Sequence, residues 1–265
     1  MPFISLFLTA GLVILLLMVA LWFLSLLLKN SSIVDIFWGI GFIVVAWLTY
    51  TFAPQGYLPR RQLIATLVTI WGFRLAIHIG ARNWGKPEDF RYARWREENG
   101  VSWWWVSLFK VFLLQGVLMW IISAPIIAAQ TSGFPAILTP LDYVGFLLWI
   151  FGLLFEAIGD YQLTRFKANP SNKGKLLTTG LWKYTRHPNY FGEAVLWWGF
   201  YVIALASGAW WTIFSPIIMT FLLMKVSGVA MLERTLKTKP GYEEYMKKTN
   251  AFIPWLPKNT NSNRL

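Results

Sequence analysis

The length of the uncharged segments constrains this chain more than any other feature. Residues 3–28 and 194–224 contain no Asp, Glu, Lys or Arg. A helix of about 20 apolar residues crosses the hydrocarbon core of a bilayer. A chain that is 56% hydrophobic and 18% aromatic also has more apolar surface than a soluble domain can bury. The sequence therefore predicts an all-α integral membrane protein, whose first segment is too long for a signal-peptide core and is a retained helix.

Seven segments have the length and composition of transmembrane helices. The last two come from the single apolar run 194–224, which we divide at Ser207-Gly208 because the distribution of charge requires an odd number of spans. The predicted spans are approximately residues 3–28, 33–53, 62–81, 103–129, 140–162, 189–206 and 209–231.

The basic residues predict the orientation. With seven spans, most of the 24 Lys and Arg residues fall on one side, in the loops 82–100 and 163–188 and in the C-terminal tail. Only Arg60 and Arg61 lie in a loop on the other side. Because basic loops stay in the cytoplasm, we predict an N-terminus outside and a C-terminus in the cytoplasm. Six spans would place the basic tail outside.

Charge and cysteine content limit the partners. A net charge of +12 would suggest nucleic acid for a soluble protein, but in a membrane protein it sets orientation and attracts anionic lipid. We therefore expect the lipid bilayer as a partner and no nucleic acid. The chain has no cysteine, and its two histidines are His78 and His187, so we expect neither disulfides nor a metal site.

Ionisable side chains inside the membrane cost about 3 kcal/mol each at a helix centre, so they tend to face a cavity or a partner. The predicted topology places those of this chain in the cytoplasmic half, which predicts a polar cavity open to the cytoplasm. Structural explanations stay open. Asp35 could begin a helix or pair with Arg74, and Lys110 and Lys225 could extend their ammonium groups to the membrane–water interface. The polar residues within or bordering the spans are Asp35, Arg74, His78, Lys110, Gln115, Glu156, Asp160, Glu193, Lys225 and Glu233.

The two basic loops differ in character. Acidic residues nearly balance the basic ones in residues 82–100, which predicts a folded cap with internal ion pairs. Residues 163–188 contain basic residues and no acidic one. These basic residues either set the orientation of the chain in the membrane or bind phosphate. The sequence has no glycine-rich dinucleotide fingerprint and no phosphate loop, so the membrane domain itself would hold any nucleotide.

The segment 181–193, Leu-Trp-Lys-Tyr-Thr-Arg-His-Pro-Asn-Tyr-Phe-Gly-Glu, resembles the signature of the steroid 5α-reductase family, in particular its bacterial membrane branch. The resemblance covers about residues 140–257 and includes Tyr242, Tyr245 and the closing Phe252-Ile-Pro-Trp. It implies a seven-helix enzyme of the bacterial inner membrane, with an active site facing the cytoplasm. Such an enzyme uses NADPH to reduce a carbon–carbon double bond conjugated to a carbonyl in an apolar lipid or steroid-like substrate.

The resemblance implies a division of labour within one membrane domain, residues 1–257. Residues 1–130 form the lipid-substrate half, residues 140–257 form the cofactor-binding half, and the polar residues 258–265 form a disordered tail. Family positions and the chemistry of the surrounding loops together predict the contacts to NADPH. These contacts are Arg74, His78, Asp160, Arg165, Lys167, Lys173, Tyr184, Arg186, His187, Asn189, Tyr190, Glu193 and Glu233.

The N-terminal half departs from the family. A glutamate and a tyrosine polarise the substrate carbonyl in the family, but this chain has no glutamate before Glu88. We therefore predict that Asp35, assisted by Arg74, His78 or Tyr92, stabilises the developing enolate.

Two other functions compete with the reductase. A membrane methyltransferase that uses S-adenosylmethionine carries a similar Arg-His-Pro element, although here Glu233 is followed by Arg234 and not by a second acid. A non-enzymatic lipid carrier is the third possibility, but the inverted repeats typical of transporters are not evident.

Overall fold

The structure is a computed structural model that describes residues 1–226 and 228–258, and these residues form helices joined by short loops. The predicted tail 258–265, apart from Lys258, lies outside the described residues. The helices of the described residues are α1 (Phe3–Leu28), α2 (Ile33–Phe52), α3 (Leu58–Asn83), α4 (Phe90–Asn99), α5 (Trp103–Ser107), α6 (Leu114–Ile122), α7 (Ala124–Thr131), α8 (Pro140–Ala168), α9 (Pro188–Ala206), α10 (Phe214–Phe221), α11 (Val229–Leu236) and α12 (Tyr242–Lys248).

The protein is an all-α membrane protein. Six helical segments of the described chain are long and apolar enough to cross a bilayer: Phe3–Leu28, Ile33–Phe52, Leu58–Asn83, Phe90–Thr131, Pro140–Ala168 and Trp210–Arg234. The sixth predicted span, α9, is a helix of 19 residues but does not belong to these six. Asn189 and Glu193 in its first turns lower its hydropathy. The count of seven spans and the orientation therefore stay predictions.

The long apolar run 194–224 is divided as predicted. Helix α9 ends at Ala206, and Gly208 has a φ of +84°, a left-handed conformation that glycine adopts without strain. The chain then continues through a 3-10 turn, Trp210–Ile213, into α10.

Two membrane segments contain π-helical turns, and each of these turns carries a lysine. Leu108–Leu113 joins α5 to α6 and contains Lys110, and Leu222–Val226 follows α10 and contains Lys225. Such turns insert a residue into the helix and are frequent at functional sites. The predicted span 103–129 therefore lies in a segment, Phe90–Thr131, that is built from several consecutive helices.

The chain divides into two compact units. The first comprises Met1–Asp142 and Ile203–Ser215, and the second comprises Tyr143–Val202 and Pro216–Leu265. Residues 203–215 thus belong with the N-terminal helices, whereas the sequence had placed them with the cofactor half. The lipid-substrate and cofactor roles of the two halves stay predictions.

In the first unit, α2 and α3 pack with their backbones in contact. A Cβ atom added to Gly39 would lie 2.5 Å from the carbonyl oxygen of Gly72. Helix α3 begins at Leu58, four residues before the predicted span, so Arg60 and Arg61 are helical. Their predicted place in a loop was therefore wrong, and both side chains are buried. Arg60 donates to Asp142 through Nε (2.7 Å) and Nη2 (2.9 Å).

In the second unit, glycines let α8 and α9 approach closely. Gly145, Gly152 and Gly159 recur every seven residues along α8, and Gly192 and Gly199 do so along α9. A Cβ atom on Gly192 would lie 2.4 Å from the backbone nitrogen of Glu156, and one on Gly199 would lie 2.7 Å from the carbonyl oxygen of Gly145. In lipid the hydrophobic effect does not drive helices together, and they associate largely through van der Waals packing. Small residues favour this packing because they let the two backbones come into close contact.

Candidate functional site

Asp35, in the first turn of α2, is the centre of a polar cluster in the first unit. Tyr92 donates its phenolic hydrogen to Oδ1 of Asp35 (2.6 Å), and Arg91 donates from Nη2 to Oδ2 (2.6 Å). Gln115 in α6 donates to the Tyr92 hydroxyl (3.2 Å). Both carboxylate oxygens of Asp35 are therefore held, and the phenol is fixed in orientation by two polar neighbours.

The segment before and within α4 supports this cluster. Asp89 caps α4 by accepting from the backbone nitrogen of Arg91 (3.0 Å), and it also accepts from Nε of the same arginine (2.8 Å). Burial raises the pKa of Asp89, but the hydrogen bonds and charge of Arg91 outweigh it and hold that pKa below its ordinary value. Glu88 pairs with Arg96 through two hydrogen bonds of 2.9 Å. The predicted folded cap with internal ion pairs is confirmed.

The structure partly changes the predicted assembly around Asp35. Tyr92 is in contact with it, as predicted, but its cationic partner is Arg91, a residue that was not among the predicted ones. Arg74 and His78 lie one turn apart on α3, half-buried, and both have interactions of their own. The nearest available sequence signal for Arg91 was its place two residues after the helix-capping Asp89.

In the second unit, polar side chains of α8 meet the beginning of α9. Asn189 donates its side-chain amide to Oδ1 of Asp160 (3.0 Å). Asp160, Glu156 one turn before it and Glu193 one turn after Asn189 are all buried. Pro188 starts α9 at the position where a missing backbone N–H does no harm, and it packs against Gly159. The arrangement offers a half-buried amide and buried carboxylates to a polar ligand.

Arg186 has a structural position just before α9. Its side chain is buried, and it donates to Oε1 of Glu233 from Nε (2.8 Å) and Nη2 (2.6 Å). It also donates to the backbone carbonyl oxygens of Met246 (3.3 Å) and Thr249. Nε2 of His187 lies 3.3 Å from the same Glu233 oxygen. Arg186 thus fastens the segment before α9 to α11 and α12; its predicted phosphate contact stays a prediction.

The remaining predicted contacts divide by exposure. Tyr190, half-buried, stacks its ring on His187 with centroids 5.8 Å apart. The exposed ones are Arg165, Lys167, Lys173 and Tyr184, at the end of α8 and in the loop that follows. Exposed cations on a loop without carboxylates suit a ligand with several phosphates.

Two tyrosines of α12, Tyr242 and Tyr245, are buried in the second unit. Tyr245 donates its hydroxyl to the carbonyl oxygen of Trp182. Burial, together with the negative charge of Glu233, raises the pKa of Tyr242 to about 12. Thr185 donates its hydroxyl to the carbonyl oxygen of Phe252 (2.8 Å) and so binds the segment that follows α12. The sequence motif and the closing Phe-Ile-Pro-Trp are therefore parts of one local structure.

Comparison with known proteins assigns the family. A family model described as a protein of unknown function (DUF1295) matches residues 21–249. The chain belongs to the DUF1295 family. An uncharacterized protein of Schizosaccharomyces pombe is 28% identical over 269 residues, which cover 89% of this chain and 76% of the relative.

Two further relatives of this DUF1295 protein carry functional names. The probable O-methyltransferase ustE of Ustilaginoidea virens is 30% identical over 148 residues, 56% of this chain and 48% of the relative. Human 3-oxo-5-alpha-steroid 4-dehydrogenase 1 is 31% identical over 117 residues, 44% of this chain and 42% of the relative. The matches cover less than half of either relative. The DUF1295 match and the similarity to the dehydrogenase support a steroid 5α-reductase-like family; the bacterial branch stays a prediction. No solved structure matches significantly.

Proposed function

We propose that this protein is a membrane reductase that uses NADPH to reduce a carbon–carbon double bond conjugated to a carbonyl in a steroid-like or other lipid. The observation that carries the proposal is the hydrogen bond of 2.6 Å between the Tyr92 hydroxyl and Asp35. A phenol positioned in this way can supply a hydrogen-bond donor to an enone oxygen by turning its one hydrogen away from Asp35. The similarity to steroid dehydrogenases supports the same reaction class.

The proposed reaction needs a hydrogen-bond donor at the substrate oxygen. Hydride addition to the β carbon of an enone moves negative charge onto that oxygen, and a donor fixed in advance stabilises this charge. The Tyr92 hydroxyl carries one hydrogen, which Asp35 accepts in this structure. On substrate binding this hydrogen would turn to the substrate oxygen, while Arg91 keeps Asp35 in place beside the phenol. Gln115, which donates its side-chain amide to the Tyr92 hydroxyl oxygen, would keep the phenol in its orientation. Tyr92 is then the donor, and Asp35 and Arg91 position it.

The residues of the second unit fit NADPH, which when bound supplies the hydride. The exposed cations Arg165, Lys167 and Lys173 would neutralise its phosphates, including the 2′-phosphate. Asn189 and Asp160, joined by a hydrogen bond of 3.0 Å, would exchange hydrogen bonds with ribose or carboxamide groups. The other predicted contacts for NADPH are Arg74, His78, Tyr184, Arg186, His187, Tyr190, Glu193 and Glu233.

An apolar cavity in the first unit suits a lipid substrate. Its volume is about 280 Å³, and its walls come from α1 and from the segment containing α6. Leu12, Met18, Val117 and the ring of Trp120 are among its lining residues. Pockets of this kind recognise apolar shape through contact area.

We further propose that the protein lies in a bacterial inner membrane with its active site facing the cytoplasm.

Ligand-dependent stabilisation of the purified protein tests the cofactor. A ligand present at about 100 times its dissociation constant stabilises the folded state by about 2.7 kcal/mol. We expect NADPH to raise the melting temperature more than NADH does. Stabilisation by S-adenosylmethionine alone would refute the reductase.

Substitution of the donor tests the chemistry. We expect Tyr92→Phe and Asp35→Asn to lower turnover of a 3-oxo-Δ4 steroid by at least 100-fold, the upper range of donor contributions being about 1,000-fold. Both variants should keep the stabilisation by NADPH. Turnover close to wild type in Tyr92→Phe would remove the phenol from the mechanism.

A methyltransferase is the second candidate, and the similarity to the probable O-methyltransferase ustE favours it. Its cofactor carries a sulfonium cation, which carboxylates and aromatic faces stabilise. Buried Glu156, Asp160 and Glu193 could meet that cation. The same stabilisation experiment separates the two candidates. Both cofactors would bind the second unit, and the cofactor that the protein uses should be the one that raises the melting temperature.

A further inference from the structure

The second unit has an apolar crevice of about 390 Å³ at its surface. Phe155 of α8 and Tyr184 form one part of its wall, and Pro254, Trp255 and Leu256 form the other. All five side chains are aromatic or aliphatic apart from the tyrosine hydroxyl. Such a lining stabilises hydrocarbon and offers few hydrogen bonds to a polar ligand.

The crevice adjoins the lipid-facing side of a membrane helix. The rings of Phe151 and Phe155 are neighbours along α8, with centroids 5.2 Å apart. Phe151, Leu154 and Ile158 are exposed on this helix, which is long and apolar enough to cross a bilayer. A hydrocarbon chain from the surrounding membrane can therefore reach the crevice without crossing water.

The C-terminal segment presents apolar side chains from a fixed backbone. The backbone nitrogen of Trp255 donates to the carbonyl oxygen of Tyr184 (3.0 Å), and Phe252 is buried. Ile253, Trp255 and Leu256 are nevertheless 64%, 67% and 73% exposed. Tryptophan is enriched at the level of lipid head groups, where its ring meets both chains and water. The segment thus has the chemistry of a membrane interface.

Three lysines from distant parts of the chain gather beside this segment. Thr249 donates its hydroxyl to the carbonyl oxygen of Lys183 (3.2 Å), and the backbone nitrogen of Lys258 donates to the carbonyl oxygen of Lys248 (2.9 Å). All three lysine side chains are exposed, and Nζ of Lys183 lies 5.9 Å from the ring centroid of Tyr184, at the crevice. In the described part of the chain none of them pairs with a carboxylate. The acidic residues of α12, Glu243 and Glu244, lie in its first turn.

We propose that this surface binds an anionic phospholipid. One hydrocarbon chain lies in the crevice against Phe155 and Trp255, and the phosphate lies among Lys183, Lys248 and Lys258. Phosphates of a nucleotide would suit the lysines equally well, but the apolar lining and its contact with the lipid-facing side of α8 favour a lipid. The proposal does not depend on the reductase activity.

The test uses the full chain purified in a neutral detergent. Dioleoylphosphatidylglycerol should raise its melting temperature more than dioleoylphosphatidylcholine does, because the lysines contact only the anionic head group strongly. The triple variant Lys183→Gln, Lys248→Gln, Lys258→Gln should bind the anionic lipid on the order of 100-fold more weakly, since each lysine contributes to binding. Trp255→Ala should reduce the response to both lipids.

A charge-matched triple variant is the control. Lys175→Gln, Lys237→Gln and Lys239→Gln remove the same net charge from the second unit elsewhere, so this protein should respond like wild type. Equal responses of the wild type to the two lipids would overturn the proposal, and this result needs no variant to fold. A site triple variant that keeps its lipid response but loses its NADPH response would also overturn it, because the lysines would then serve the cofactor.

Discussion

Arg186 and Glu233 lie 47 residues apart in the chain and form an ion pair with two hydrogen bonds. The side chain of Arg186 is 7% exposed and that of Glu233 is 15% exposed. Removal of one partner from such a pair leaves a charge in a poorly hydrated place. The arginine also holds two backbone carbonyls of the α12 region, so its loss would release several acceptors together.

We therefore predict that Glu233→Gln lowers the free energy of unfolding by about 3 kcal/mol, at the lower end of the range for buried pairs. The matched control is Arg94→Gln, which breaks the exposed pair with Glu98, 77% and 47% exposed. Exposed pairs contribute about 0.5 kcal/mol or less. Thermal unfolding followed by tryptophan fluorescence measures both. Equal losses in the two variants would contradict a structural role for the Arg186 pair.

The tyrosine beside this pair gives a pH-dependent prediction. The pKa of Tyr242 is about 12 in the folded protein, raised by burial and by Glu233 from its ordinary value of 10.0. The folded state therefore holds this proton more strongly than the unfolded state does. Its contribution to stability is complete below about pH 10 and is lost as the pH rises toward 12. Melting temperatures between these values should fall less steeply for Tyr242→Phe than for wild type, and parallel curves would contradict the assignment.

At the scale of elements, glycine spacing decides how α8 and α9 pack. A side chain at Gly192 would meet backbone atoms of Gly152 and Glu156, which cannot move aside as the end of a flexible side chain can. The two helices would have to separate, and the buried polar residues between them would move with them. Gly80 in α3 has nothing within 4 Å of an added Cβ atom.

We predict opposite effects of the same substitution at these two glycines. Gly192→Ala should destabilise the protein by about 1–3 kcal/mol through overpacking. Gly80→Ala should leave stability unchanged or raise it by up to about 1 kcal/mol, because alanine favours helix more than glycine does. Thermal unfolding of the two variants under identical conditions measures the difference. A neutral Gly192→Ala would show that α8 and α9 are not in close backbone contact.

At the scale of the whole molecule, the distribution of basic residues predicts the orientation in the membrane. The chain has no cysteine, so single cysteines can be introduced without background. In intact cells a membrane-impermeant thiol reagent should label Gln55→Cys and should not label Lys86→Cys or Lys175→Cys. After the membrane is opened, all three should react. Labelling of Lys175→Cys in intact cells would reverse the predicted orientation.

Much of the architecture follows from local chemistry and was predictable. Long apolar segments can satisfy their backbone groups in a bilayer only as helices, and this accounts for α1, α2 and α8. The break was predictable because the distribution of charge favours two helices in the apolar run 194–224, and Ser207-Gly208 is the place in that run where a turn forms without strain. The resemblance to steroid 5α-reductases, which the DUF1295 match and the human dehydrogenase support in part, rested on residues 140–257 and above all on the motif of residues 181–193.

Partner choice among charged side chains was decided only by the tertiary structure. Asp35 could have paired with Arg74, but Arg91, 56 residues away, occupies that place. Arg60 looked like a loop charge until the fold buried it against Asp142, 82 residues away. Sequence states which side chains carry charge, whereas an ion pair depends on distances of a few ångströms between elements. Those distances are fixed by helix packing, and packing at Gly39 or Gly192 depends on what the opposite helix places there.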